Sequence, residues 1–125
     1  MLELGHPALL PGDDIVATIA PIATWSMAPH VLQVPLFALL GVAVFLLIRG
    51  LDSRAATVSR YAIAIFIVVY PAFDAAVGIA SAVLCRRSSG PDVEAALQNL
   101  FWGPVTGSMA IVGSVSWLVA LLAAA

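Results

Sequence analysis

The sequence predicts an all-α fold, a polytopic membrane helical bundle of three transmembrane helices and two short interfacial helices. Two observations carry that class. Hydrophobic residues fill 62% of the 125 positions and charged residues only 10%, against roughly 45–50% and about 25% in soluble domains. Three stretches also reach the length of about 20 apolar residues that a spanning helix needs. A mean hydropathy of +1.09 excludes a disordered chain, which requires low hydrophobicity and high charge. Five basic residues against seven acidic ones leave no basic patch to neutralise phosphates, which excludes a nucleic-acid binder. The single cysteine, Cys85, excludes an intrachain disulfide framework and a CxxC metal site.

The whole chain, 1–125, reads as one membrane domain. Residues 1–14 form a loop punctuated by Gly5, Pro7, Pro11 and Gly12. Asp13 or Asp14 suits the N-cap of a following helix. That helix, 15–28, contains Pro21 and is too short to span, so it is expected to be interfacial or re-entrant, with Trp25 at headgroup depth. The first span covers 30–49. His30 and Gln33 are its polar members, Pro35 sits in its first turns, and Gly50 follows Arg49 as a C-cap.

The second span, 61–85, lies between Arg60 and the Arg86-Arg87 pair, which serve as snorkelling anchors. An amphipathic surface helix, 91–102, follows. Pro91 suits its first position, and Asp92 and Glu94 suit its positive N-terminus. Val93, Ala96, Leu97, Leu100 and Phe101 share one face. Phe101 and Trp102 mark the membrane boundary, and Gly103-Pro104 turns the chain into the third span, 105–125. That span holds no charge to its end, which is the expectation for a very short tail or for a segment of a longer chain.

All five basic residues are arginines, a composition associated with GC-rich bacterial genes and so with a bacterial inner membrane. The first loop and its edges hold Arg49, Arg54 and Arg60, and the second loop holds Arg86 and Arg87. By the excess of basic residues on cytoplasmic loops, the N-terminus is external.

Asp74 is the strongest single signal. It lies about 20 Å along the helix axis from Arg60 at 1.5 Å per residue, deep in the second span. A carboxylate there is unfavourable by about 2.5–3.5 kcal/mol on insertion scales. It must meet a partner, face a water-filled cavity or be protonated. Proton relay, cation binding and substrate anchoring are the functional readings, and an interhelical hydrogen bond that holds the bundle together is the structural one. Tyr70, Asp74 and Gly78 recur four apart and share a face, which Ser81 and Ala82 extend. Pro71 removes a backbone N–H, so a kink is expected there.

Contact between His30 and Asp74 across neighbouring helices would create a pair suited to proton transfer. The polar intramembrane site is therefore Asp74, Tyr70, His30 and Ser81, with Pro71 at the kink. His6 lies near the same membrane face as His30. The two histidines and Asp74 show no ligand spacing, so no metal is expected, and no cofactor either. Gly41, Gly103, Gly107, Gly113, Ser114 and Ser116 read as helix-packing positions. Cys85 reads as an inert thiol. No GxSxG, HExxH or P-loop occurs, which argues against an enzyme. Internal repeats are absent as well.

His6-Pro7, the Asp13-Asp14 helix start, Trp25 with His30, and the run from Tyr70 to Gly78 together resemble small uncharacterised multi-pass membrane proteins of bacteria, especially actinobacteria. The resemblance covers most of the chain. It implies further spans in longer members and brings no activity. The leading expectation is transport or proton-coupled sensing through the site at Asp74. The alternative is a structural or assembly subunit in which Asp74 is interhelical glue. The lipid bilayer is the expected partner, with a homo-oligomer or other membrane helices left open.

Overall fold

A computed structural model describes residues 9–125, and among them all regular structure is helical. Three runs, Ile15–Leu47, Arg54–Arg87 and Pro91–Ala124, are long and apolar enough to cross a membrane.

The first run starts where the Asp14 carboxylate accepts a 2.8 Å bond from the Ala17 N–H, capping α1 (Ile15–Ile19). Pro21 falls in a single 3-10 turn, Ala20–Ile22, and α2 (Ala23–Leu47) continues from it. The sequence predicts a separate helix at 15–28 and a span from residue 30. Instead, α2 runs unbroken through Pro29 and Pro35, and the only irregularity falls at Pro21. Pro21 lies in a first turn, where a missing N–H has no partner to lose. Pro29 and Pro35 lie inside α2, so Pro35 is not in the first turns of its helix. Membrane helices tolerate such interior prolines. Gly50 adopts φ +84° just beyond the helix, a conformation open to glycine without a Cβ penalty. The Arg60 guanidinium then donates to the Ile48 carbonyl at 3.1 Å and the Leu51 carbonyl at 2.8 Å. This ties α3 to the turn that follows the negative end of α2.

The second run begins at Arg54 rather than at Tyr61, because the Ser53 hydroxyl accepts from the Ala56 N–H at 3.0 Å and starts the helix there. α3 (Arg54–Asp74) passes into a π turn, Ala75–Ala80, and then into α4 (Ser81–Arg87). The irregularity expected at Pro71 thus takes the form of a π turn opening directly after Asp74. Pro71 offers no N–H to the Ile67 carbonyl, and the hydrogen-bond ladder widens one turn later.

In the third run α5 (Pro91–Trp102) is divided from α6 (Pro104–Ala124) by Gly103, whose backbone is extended. Val93, Leu97, Leu100 and Phe101 of α5 pack against Ile15, Ile19, Ala82 and Cys85. The apolar face of this helix therefore meets the chain's own core, while Ala96 stays exposed.

α3 is the central helix. Its pairing with α6 is the most extensive in the molecule, and α2 packs on it as well. The Ser59 hydroxyl ties α3 to α6 by donating to the Ala120 carbonyl at 2.7 Å. Two apolar clusters result. One gathers α1, the start of α2, α4 and α5 around Ile15, Ala23, Ala82 and Leu97. The other gathers α2, α3 and α6 around Val44, Ile63, Phe66 and Ala120.

Candidate functional site

Between those clusters lies a polar layer. On α2, the chain passes from Ala23 and Met27 in the first cluster through His30 to Phe37 and Val44 in the second. On α3 and α4, it passes from Ala62, Phe66 and Tyr70 through Asp74 to Ala82 and Cys85. His30 and Asp74 face each other where both helices change cluster. Their Nδ1 and Oδ1 atoms are 2.8 Å apart, with side-chain exposures of 9% and 10%. At that distance an imidazole N–H donating to a carboxylate is a charge-assisted bond of the stronger kind.

The four-residue spacing read from the sequence explains how α3 supplies the layer. Tyr70, Asp74 and Gly78 do line one face; Asp74 and Gly78 meet His30, and Tyr70 meets the aromatic rings. Asp74 takes His30. A Cβ on Gly78 would collide with the His30 ring, so the imidazole is seated against the bare backbone of the π turn. Tyr70 packs edge-on against Phe37 with centroids 5.1 Å apart and stacks on Phe66 at 5.5 Å. Its Cδ2 lies 2.8 Å from where a Cβ on Gly113 would stand. Tyr70 thus belongs to the aromatic cluster that Trp117 completes against Phe66 at 4.8 Å. Beside it a cleft of about 330 Å³ opens between α2 and α6, lined also by Leu40 and Ser114.

Ser81 is buried, but its hydroxyl turns back on its own helix. It donates to the Val77 carbonyl and, at 3.3 Å, to the Gly78 carbonyl. It therefore supports the π turn and does not reach the carboxylate. Pro71 is buried one turn before Asp74. His6 lies outside the described residues. No group of three or more His, Cys, Asp or Glu comes together among the described residues.

No family model, characterised protein or solved structure matches this chain. What the site can do follows from its own chemistry.

The second carboxylate oxygen of Asp74, Oδ2, is buried without a hydrogen-bond partner among the described residues, and so is Oε1 of Gln33 one turn along α2 from His30. A buried acceptor left unmade is unfavourable by about 1–3 kcal/mol. Both atoms are acceptors, so each is relieved by a donor: a proton on the carboxylate, a water, or a bound N–H or O–H group. In the sequence Gln33 is only one of two polar residues near the start of the first span, with no local signal that it joins this layer.

From the sequence, Glu94 is assigned to the positive N-terminus of its own helix. It instead accepts from the backbone N–H groups of Ile15 at 3.1 Å and Val16 at 2.9 Å, and from Gln98 at 2.8 Å. Gln98 also donates to the Asp13 carbonyl at 2.8 Å. α5 therefore caps α1 from outside.

Proposed function

We propose that this chain is a multi-pass membrane protein whose His30–Asp74 pair handles protons in transport or proton-coupled sensing. The observation that carries the reading is the 2.8 Å pair, buried in a bundle of three apolar runs, with Asp74 Oδ2 lacking a partner among the described residues. Ionisable groups inside membrane helices are unfavourable to insert and typically mark ion or proton pathways. In the proposed cycle, the ionised carboxylate accepts the Nδ1–H of His30 at Oδ1. It takes up a proton at Oδ2 from one side of the membrane and releases it to the other. The π turn directly after Asp74 is the kind of local irregularity that clusters at functional positions. The arginine distribution supports a bacterial inner membrane with the N-terminus external.

A structural reading is favoured by one observation. The His30 ring fits against Gly78 and cross-links α2 to the π turn, as an interhelical hydrogen bond would in a subunit without transport activity.

The experiment is proton flux into liposomes that hold the purified protein and an entrapped pH-sensitive dye, under an imposed pH gradient. Wild type is expected to exceed protein-free liposomes, and Asp74→Leu to fall to their level. Equal flux from Asp74→Leu and wild type would overturn the proposal.

A further inference from the structure

Arg86 lines a cleft of about 450 Å³ where the end of α4 meets the 3-10 turn and the start of α2. Pro21, Thr24 and Trp25 form one wall, and Cys85 lies beside Arg86. The lining carries one cation and no carboxylate. Arg86 makes no ion pair among the described residues. That separates it from Arg60, whose guanidinium is occupied by the carbonyls of Ile48 and Leu51. Glu94 acts electrostatically on Cys85, but both its oxygens already accept from Ile15, Val16 and Gln98. Arg87 adds a second positive charge next along the chain.

The surroundings suit an amphipathic ligand. Trp25 is 75% exposed at the cleft, and an exposed indole beside arginines is the composition of a membrane–water interface. From Trp25 an apolar track leads away along one face of α2 through Leu32, Leu36 and Leu39, each more than half exposed. These positions follow helical spacing. A cationic concave head site thus continues into a greasy stripe.

We propose that this cleft binds the phosphate of an anionic phospholipid, with its acyl chain along Leu32, Leu36 and Leu39. The Arg86 guanidinium supplies paired N–H donors to the phosphate oxygens, and the Thr24 hydroxyl and Trp25 ring flank the glycerol. This bidentate pairing of guanidinium with phosphate does not depend on the leaflet, and with the N-terminus external the lipid lies in the outer leaflet. The proposal is independent of His30 and Asp74.

The test is native mass spectrometry of the purified full chain titrated with phosphatidylglycerol or phosphatidylcholine, with inorganic phosphate as a competitor. Phosphatidylglycerol is expected to bind more tightly than phosphatidylcholine. Arg86→Gln should weaken its binding about fivefold, while Arg54→Gln at the opposite end of the same run should not. The comparison of the two lipids on the wild type needs no variant. Equal affinity for both lipids, or an Arg86→Gln protein that binds phosphatidylglycerol as wild type does, would overturn the site. Displacement of the lipid by inorganic phosphate at comparable concentration would assign the cleft to free phosphate and defeat the lipid proposal.

Discussion

The imidazole of His30 occupies the space that a side chain at Gly78 would fill. This seating brings Nδ1 to 2.8 Å from Asp74 Oδ1, and it depends on a backbone without a Cβ. Gly78→Ala is expected to displace the ring and break the pair. The destabilisation should be about 1–3 kcal/mol, the range for added methylenes in a packed interior. Thermal unfolding in detergent measures it, and an alanine variant as stable as wild type would show that the ring is not held there.

Two other glycines give an internal contrast. A Cβ on Gly41 would collide with Ile67, whereas one on Gly107 would meet nothing within 4 Å. Ile67 is β-branched and stiff at χ1, so Gly41→Ala should separate α2 from α3 and destabilise by about 1–3 kcal/mol. Gly107→Ala should be neutral or stabilise by up to about 1 kcal/mol, since alanine is the better helix former. The order of the two melting temperatures checks the packing, and a reversed order contradicts it.

Glu94→Ala should uncap α1. The Ile15 and Val16 amides, which now donate to the Glu94 carboxylate, should exchange hydrogen faster while those of α3 keep their protection. The expected loss is about 1 kcal/mol, typical of a removed cap. Unchanged exchange at both amides would mean that α5 does not hold α1.

Much of this architecture was legible in the sequence because its signals are local. Asp74 stands out from its apolar neighbours, and four-residue spacing places Tyr70 and Gly78 on its face. The amphipathic face of α5 is likewise a matter of period. What could not be read depends on pairing between distant segments. Glu94 caps a helix 79 residues earlier in the chain, and no local pattern announces that. The seating of His30 on Gly78 requires the register of α2 against α3. The π turn reflects how the backbone resolves the missing N–H of Pro71, which composition does not specify. Ser81 shares the face of Asp74, yet nearby carbonyls compete for its hydroxyl and win, as they often do for serine within a helix.

Single cysteines at positions 6 and 54, in a Cys85→Ser background, test the orientation that the arginines suggest. An impermeant thiol reagent applied to intact cells should label position 6 and leave position 54 unlabelled. Labelling at position 54 would reverse the topology.

The most direct test of the central claim is Asp74→Asn, followed by thermal stability in detergent and proton flux in liposomes on the same preparation. An amide still donates and accepts across helices but cannot exchange a proton. The proton-handling account predicts near-native stability with flux at the protein-free level. An asparagine protein with native stability and native flux would contradict it, and would leave the His30–Asp74 pair as a hydrogen bond that only holds the bundle together.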